Sequence, residues 1–139
     1  MRISSLLITL VVGLAGNASS LAQMSKDSCG LITRGQAAAA LGAPVDAGEM
    51  AMAGCQWAET GGTGYVQVQV ARANAYQRPP KTAHMLSGIG SQAYAYTDMD
   101  APHAMAKTDN ETVVVWASGP HATSEKVVEL LRTVVSQLK

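Results

Sequence analysis

The sequence predicts an α+β domain: an antiparallel sheet of about five strands, with an N-terminal and a C-terminal helix packed on one face. Three observations predict it. Tyr65-Val66-Gln67-Val68-Gln69-Val70 alternates apolar and polar residues, the period of a strand buried on one side. Val127, Leu130, Leu131, Val134, Val135 and Leu138 recur at three- and four-residue steps, the stripe of an amphipathic helix. Thr60-Gly61-Gly62-Thr63-Gly64 and Thr108-Asp109-Asn110-Glu111 read as hairpin loops between neighbouring strands.

The chain opens on a different composition. Met1-Arg2 is a short positive start, Ile3 to Ala15 is uncharged and apolar, and Ser20-Leu21-Ala22 places small residues where a signal peptidase reads. Residues 1–22 are therefore expected to be a cleavable signal peptide, cut between Ala22 and Gln23. The apolar run is shorter than the roughly 20 helical residues that cross a bilayer core, so no transmembrane segment is expected in the mature chain. Lys26-Asp27-Ser28 before Cys29 is polar, unlike the small-residue box of a lipoprotein, so no lipid anchor is expected. The implied location is exported, periplasmic or extracellular.

Residues 23–139 suffice for a single α+β domain. Removing Arg2 leaves nine Lys/Arg against ten Asp/Glu, with no charge block to suit nucleic acid or an anionic membrane. Two cysteines in an oxidising compartment have one connectivity, so a Cys29–Cys55 disulfide is expected. Phe is absent, and Trp57 and Trp116 are the large aromatic candidates for the core.

In chain order, Thr33 with Gln36 forms a capping box, Ala37 to Leu41 are helix formers, and Gly42 with Pro44 ends the helix. Residues 45–52 read as irregular. Strands follow at 53–58, with Cys55 and Trp57 on one face, and at 65–70. The glycine loop between them joins strand to strand, whereas phosphate loops join strand to helix. Ala73–Gln77 reads as one helical turn stopped by Pro79-Pro80, and Ser87-Gly88-Ile89-Gly90 turns the chain. Three strands occupy 93–97, 103–107 and 112–117, with left-handed backbone expected at Asp109-Asn110. Val113-Val114-Val115-Trp116 is apolar on both faces, as suits a central strand. Thr123 or Ser124 caps the last helix, with Glu125 at the positive end of its dipole. Its polar face mixes Glu125, Lys126, Glu129, Arg132 and Lys139, which favours packing on the sheet over lying on a membrane.

Cys29-Gly-Leu-Ile-Thr33, Leu41-Gly42, Pro44-Val45 and Cys55-Gln56-Trp57, with Leu86-Ser-Gly-Ile-Gly-Ser-Gln-Ala-Tyr94 further on, resemble a group of small bacterial exported proteins. Many of those are lipoproteins that begin Cys-x-Leu-Leu-Thr and continue through Leu-Gly-x-Pro-Val to Cys-x-Trp. This chain departs in lacking the lipobox and in a shorter stretch around Pro79-Pro80. The shared motifs are structural, so the resemblance implies a fold and transfers no activity.

Enzymatic chemistry finds little support. His84, His103 and His121 are far apart, no Ser sits in a Gly-x-Ser-x-Gly elbow, and Asp98 and Asp100 read as solvated loop acids. The chain is read as a non-enzymatic binding or interaction domain for a protein or small ligand, with an enzyme as a third choice. The second choice is a Cu(I) carrier using His84, Met85, His103 and Met105, since thioether and imidazole ligands select Cu(I). His84-Met85 and His103-Ala104-Met105 are similar to the two ends of the motif in periplasmic copper chaperones, with a different spacing between them. Against copper stands the expectation that Met50, Met52, Met85, Met99 and Met105 fill gaps in a core without Phe, leaving no cofactor. The candidate binding face comprises Trp116, Tyr94 and Tyr96. It requires Val113 and Val115 to face the helices, whereas a one-residue slip would put Trp116 in the core.

Overall fold

The computed structural model describes residues 27–52 and 54–138; the expected signal peptide and its cleavage position lie outside them. A one-turn 3-10 helix, Ser28–Gly30, leads into α1 (Arg34–Leu41). Strands β1 (Glu49–Ala51), β2 (Gly54–Ala58) and β3 (Tyr65–Arg72) follow, then a second 3-10 turn, Ala73–Ala75. β4 (His84–Leu86), β5 (Gln92–Asp98), β6 (Ala101–Lys107) and β7 (Glu111–Ser118) precede α2 (Ser124–Gln137). The strands form one antiparallel sheet in the order β1-β2-β3-β7-β6-β5-β4.

The fold is α+β, but among the described residues the sheet has seven strands where about five are expected. The two additions, β1 and β4, are three-residue edge strands. Three residues are too few to display a period, and neither Glu49-Met50-Ala51 nor His84-Met85-Leu86 alternates in polarity. What makes them strands is pairing: Met50 opposes Cys55, and Met85 opposes Tyr94. Such short edges also leave little free ladder for another chain to join.

Both helices lie on one face. The side chains beneath them are Cys55 and Trp57 on β2, alternate valines on β3 and β7, and Ala93, Ala95, Ala104 and Ala106 on β5 and β6. Small residues on β5 and β6 let α2 approach closely, and Val127, Leu130, Leu131 and Val134 fill the space above. Burying each of these four contributes about 2 kcal/mol before entropy is subtracted. Val135 and Leu138, the rest of the stripe, are only partly buried. α1 packs on β3, β7 and α2 through Ala37, Ala40 and Leu41.

The ends of α1 form as its sequence dictates. Thr33 Oγ1 accepts from Gln36 N–H at 3.1 Å, Gln36 Oε1 accepts from Thr33 N–H at 2.8 Å, and Gly42 closes the helix at φ 77°. The Cys29–Cys55 disulfide, with Cα atoms 5.0 Å apart, ties the chain before α1 to β2. At α2, Thr123 is the cap.

Two expectations need correction. Left-handed backbone is absent at Asp109-Asn110, because Glu111 N–H donates to Thr108 Oγ1 at 3.0 Å and Thr108 N–H to Glu111 O at 2.8 Å, closing that turn with negative φ. It occurs instead at Met99 (φ 47°) and Asp100 (φ 63°), the two-residue loop of the β5–β6 hairpin, and at Met52 (φ 55°). Nor do the methionines fill the core. Met105 is buried, but Met50, Met52, Met85 and Met99 are 51, 99, 64 and 94 % exposed. They sit on edge strands and hairpin tips, beyond the reach of either helix.

Candidate functional site

The helix-free face of the sheet carries Tyr94, Tyr96, His103 and Trp116 in one connected group, joined by Tyr76. Direct cross-strand pairing puts Gln56, Gln67, Trp116, His103 and Tyr96 in a single row across five strands, since opposed residues share a face. The next row along the strands holds Gln69, Val114, Met105, Tyr94 and Met85.

Within the first row the rings stack. Tyr96 and His103 have centroids 4.9 Å apart at 20°, and His103 and Trp116 are 5.7 Å apart at 14°. These separations follow from the interstrand spacing of about 4.8 Å, which sets neighbouring rings side by side, planes nearly parallel. Tyr94 joins Tyr96 at 5.8 Å, and Tyr76 meets Tyr94 edge-on at 5.8 Å. The result is one chain of contacts, Tyr76–Tyr94–Tyr96–His103–Trp116.

One end of this chain is covered. The connection from β3 to β4 must pass β7, β6 and β5, and it does so over the helix-free face. Ala73 O accepts from Thr112 Oγ1 at 3.2 Å, and Tyr76 lies against Tyr94. Tyr94 is thereby 1 % exposed, its hydroxyl proton placed between Gln77 O (3.2 Å) and Met105 Sδ (3.1 Å). Burial raises the Tyr94 hydroxyl from its ordinary 10.0 to about 12, and charge repulsion from Tyr96 and then Tyr76 adds to it. Burial also raises Tyr76, whose hydroxyl has no hydrogen-bond partner among the described residues. Tyr96 is raised by burial first and by Asp98 second.

The other end is open. Tyr96, His103, Trp116, Val114, Gln56 and Gln69 are half-buried. His103 Nδ1 lies 2.9 Å from Ala101 O, a carbonyl that can only accept. Nδ1 thus carries the proton, and Nε2 of the neutral ring is an acceptor. Gln67 is buried and donates through Nε2 to Ala51 O at 3.3 Å. Charged residues stand at the ends of the face, with Glu49 opposite Gln56 on one edge and Asp98 two residues from Tyr96.

The structure therefore brings Trp116, Tyr94 and Tyr96 together on the face away from the helices, with Val113 and Val115 beneath them at 0 % exposure. It separates the copper candidates. Met85, His103 and Met105 share the helix-free face, while His84 opposes Ala95 on the helix side. Met105 Sδ is already engaged by Tyr94. No group of three or more His, Cys, Asp or Glu is placed to hold a metal ion among the described residues. Tyr76 belongs to the cluster and was not a sequence candidate, because nothing in the aperiodic stretch around it indicates where it returns to the sheet.

Three grooves lie beside α2 instead. The largest, about 710 Å³, is formed by Gly88–Ser91, 108–111 and the end of α2. Several of its polar groups serve the fold: Ser91 Oγ donates to Lys107 O, and Arg132 pairs with Glu129. A second, about 540 Å³, runs between β4–β5 and the start of α2, with Leu86, Ala95 and Val128 below His84, Glu125 and Glu129. A third, about 310 Å³, lies between α1 and α2. Compared with protein-family models, curated proteins and solved structures, the chain finds no match in any of the three.

Proposed function

We propose that this is an exported, non-enzymatic binding domain whose recognition surface is the helix-free face of the sheet. The half-buried stack Tyr96–His103–Trp116, flanked by Gln56 and Gln69, is the observation that carries it. Aromatic rings with polar atoms at a half-open surface contribute both apolar contact and hydrogen bonds. Beyond Glu49, the row Gln56, Gln67, Trp116, His103 and Tyr96 contains amides, imidazole, indole and phenol but no carboxylate or lysine, which suits an uncharged ligand with hydrogen-bonding groups and an apolar side. Binding without turnover is favoured because the polar atoms are strung along a flat row and do not converge on one reacting atom. The disulfide supports an oxidising compartment.

Two measurements test this. In Trp57→Phe, where Trp116 alone fluoresces, acrylamide should quench strongly; quenching at the level of a core indole would refute an accessible face. A panel of neutral oligosaccharides and other neutral polar compounds, screened by ligand-observed NMR, should then give binders that Trp116→Ala and His103→Ala lose. Binders retained by both variants but lost in Glu125→Ala would transfer the site to the groove beside α2.

A further inference from the structure

Every large hydrophobic side chain exposed among the described residues is a methionine: Met50, Met52, Met85 and Met99. Packing does not account for them, since they are half to almost wholly in solvent. Backbone geometry does not either. Met52 and Met99 have φ of 55° and 47° at hairpin tips, where glycine, asparagine or aspartate is the low-strain choice. What these positions share is thioether sulfur. Their placement is also specific. Met85 opposes Tyr94, Met99 caps the hairpin that carries Tyr96 and His103, and Met50 Sδ lies 3.8 Å from Cys29 Sγ of the disulfide.

We infer that Met50, Met52, Met85 and Met99 form a sacrificial thioether surface that consumes two-electron oxidants of the hypohalous acid class before they reach the aromatic face. In each event the sulfur lone pair takes the oxygen of hypochlorous acid. A sulfur–oxygen bond forms, the oxygen–chlorine bond breaks, chloride leaves and the hydroxyl proton is released. Sulfur is oxidised to the sulfoxide and chlorine is reduced to chloride. A dithiol-dependent sulfoxide reductase reverses the step, the dithiol becoming a disulfide and the oxygen leaving as water. At an exposed tip the polar sulfoxide displaces no packing, so the fold tolerates the product. The buried Met105, whose sulfur accepts from Tyr94, lies outside this surface. The inference does not depend on what the aromatic face binds.

The test is a titration of the folded protein with hypochlorous acid, followed by peptide mapping of each Met and of Trp116. In wild type, mapping should find oxygen at Met50, Met52, Met85 and Met99 before Met105 and Trp116 are modified, with Met24, outside the described residues, mapped separately. The variant M50L/M52L/M85L/M99L should show several-fold more Trp116 modification at the same dose. Should that variant fail to fold, M52L/M99L, changed only at the hairpin tips, should lower the protective threshold by two equivalents. Equal Trp116 modification in wild type and variant would overturn the inference. Oxidation of Met105 in step with the exposed four would also overturn it.

Discussion

Tyr94 shows how one side chain can be buried on a sheet face that carries no helix. Its ring is enclosed by Tyr76 and Tyr96, and its hydroxyl is held by Gln77 O and Met105 Sδ. Because folding raises its ionisation from 10.0 to about 12, the stability of its neutral form is complete below pH 10 and is lost as pH rises towards about 12. In a spectrophotometric titration, the last phenolate should appear near pH 12, after those of Tyr76 and Tyr96, which burial also raises; Tyr94→Phe should remove that last step. The same variant should lose stability less steeply above pH 10 in urea unfolding. At neutral pH it should cost about 1 kcal/mol for the lost hydrogen bond. Of this cluster, Tyr94, Tyr96 and Trp116 were legible in the sequence because they lie in strands whose alternation fixes a face. Which face remained open, since Val113-Val114-Val115-Trp116 is apolar at every position. The alanine floor on β5 and β6 decides it, by giving α2 its seat beside Val113 and Val115.

At the scale of elements, local chemistry predicted what local chemistry controls. The capping box of α1, its left-handed Gly42 and the Thr123 cap of α2 each involve residues within four positions of one another. The five longer strands were likewise legible from their own side chains. β1 and β4 were not, since they owe their existence to a neighbour's backbone hydrogen bonds. The β5–β6 hairpin shows the reverse case, a turn formed against local preference. Asp98 pairs with Ala101, so Met99-Asp100 is a two-residue loop with both residues left-handed, a conformation that favours Asn-Gly. Replacing the pair by M99N/D100G should therefore stabilise the domain by about 1 kcal/mol, read as a higher urea midpoint with unchanged m-value. No change or a loss would show that Met99 and Asp100 make contacts that offset their strain.

At the scale of the whole molecule, chain order and spatial order disagree at one place. β1 to β3 are neighbours in both, and so are β4 to β7, but β3 lies beside β7 and the intervening link crosses three strands to reach β4. The sheet is thus two consecutively wound ribbons joined along a single seam, Tyr65–Arg72 against Glu111–Ser118, backed by α1 resting on α2. The disulfide lies wholly within the first ribbon. Trypsin acting after the exposed Lys81 would cut the sole covalent tie between the halves, yet it would break none of the eight residue pairings of the seam. The nicked protein should migrate as one particle on a native sizing column and part into two fragments only in denaturant. Early parting would mean that the link holds the seam together. Intact migration would make the domain a heterodimer written as one chain, able to be supplied as two separate polypeptides that find each other.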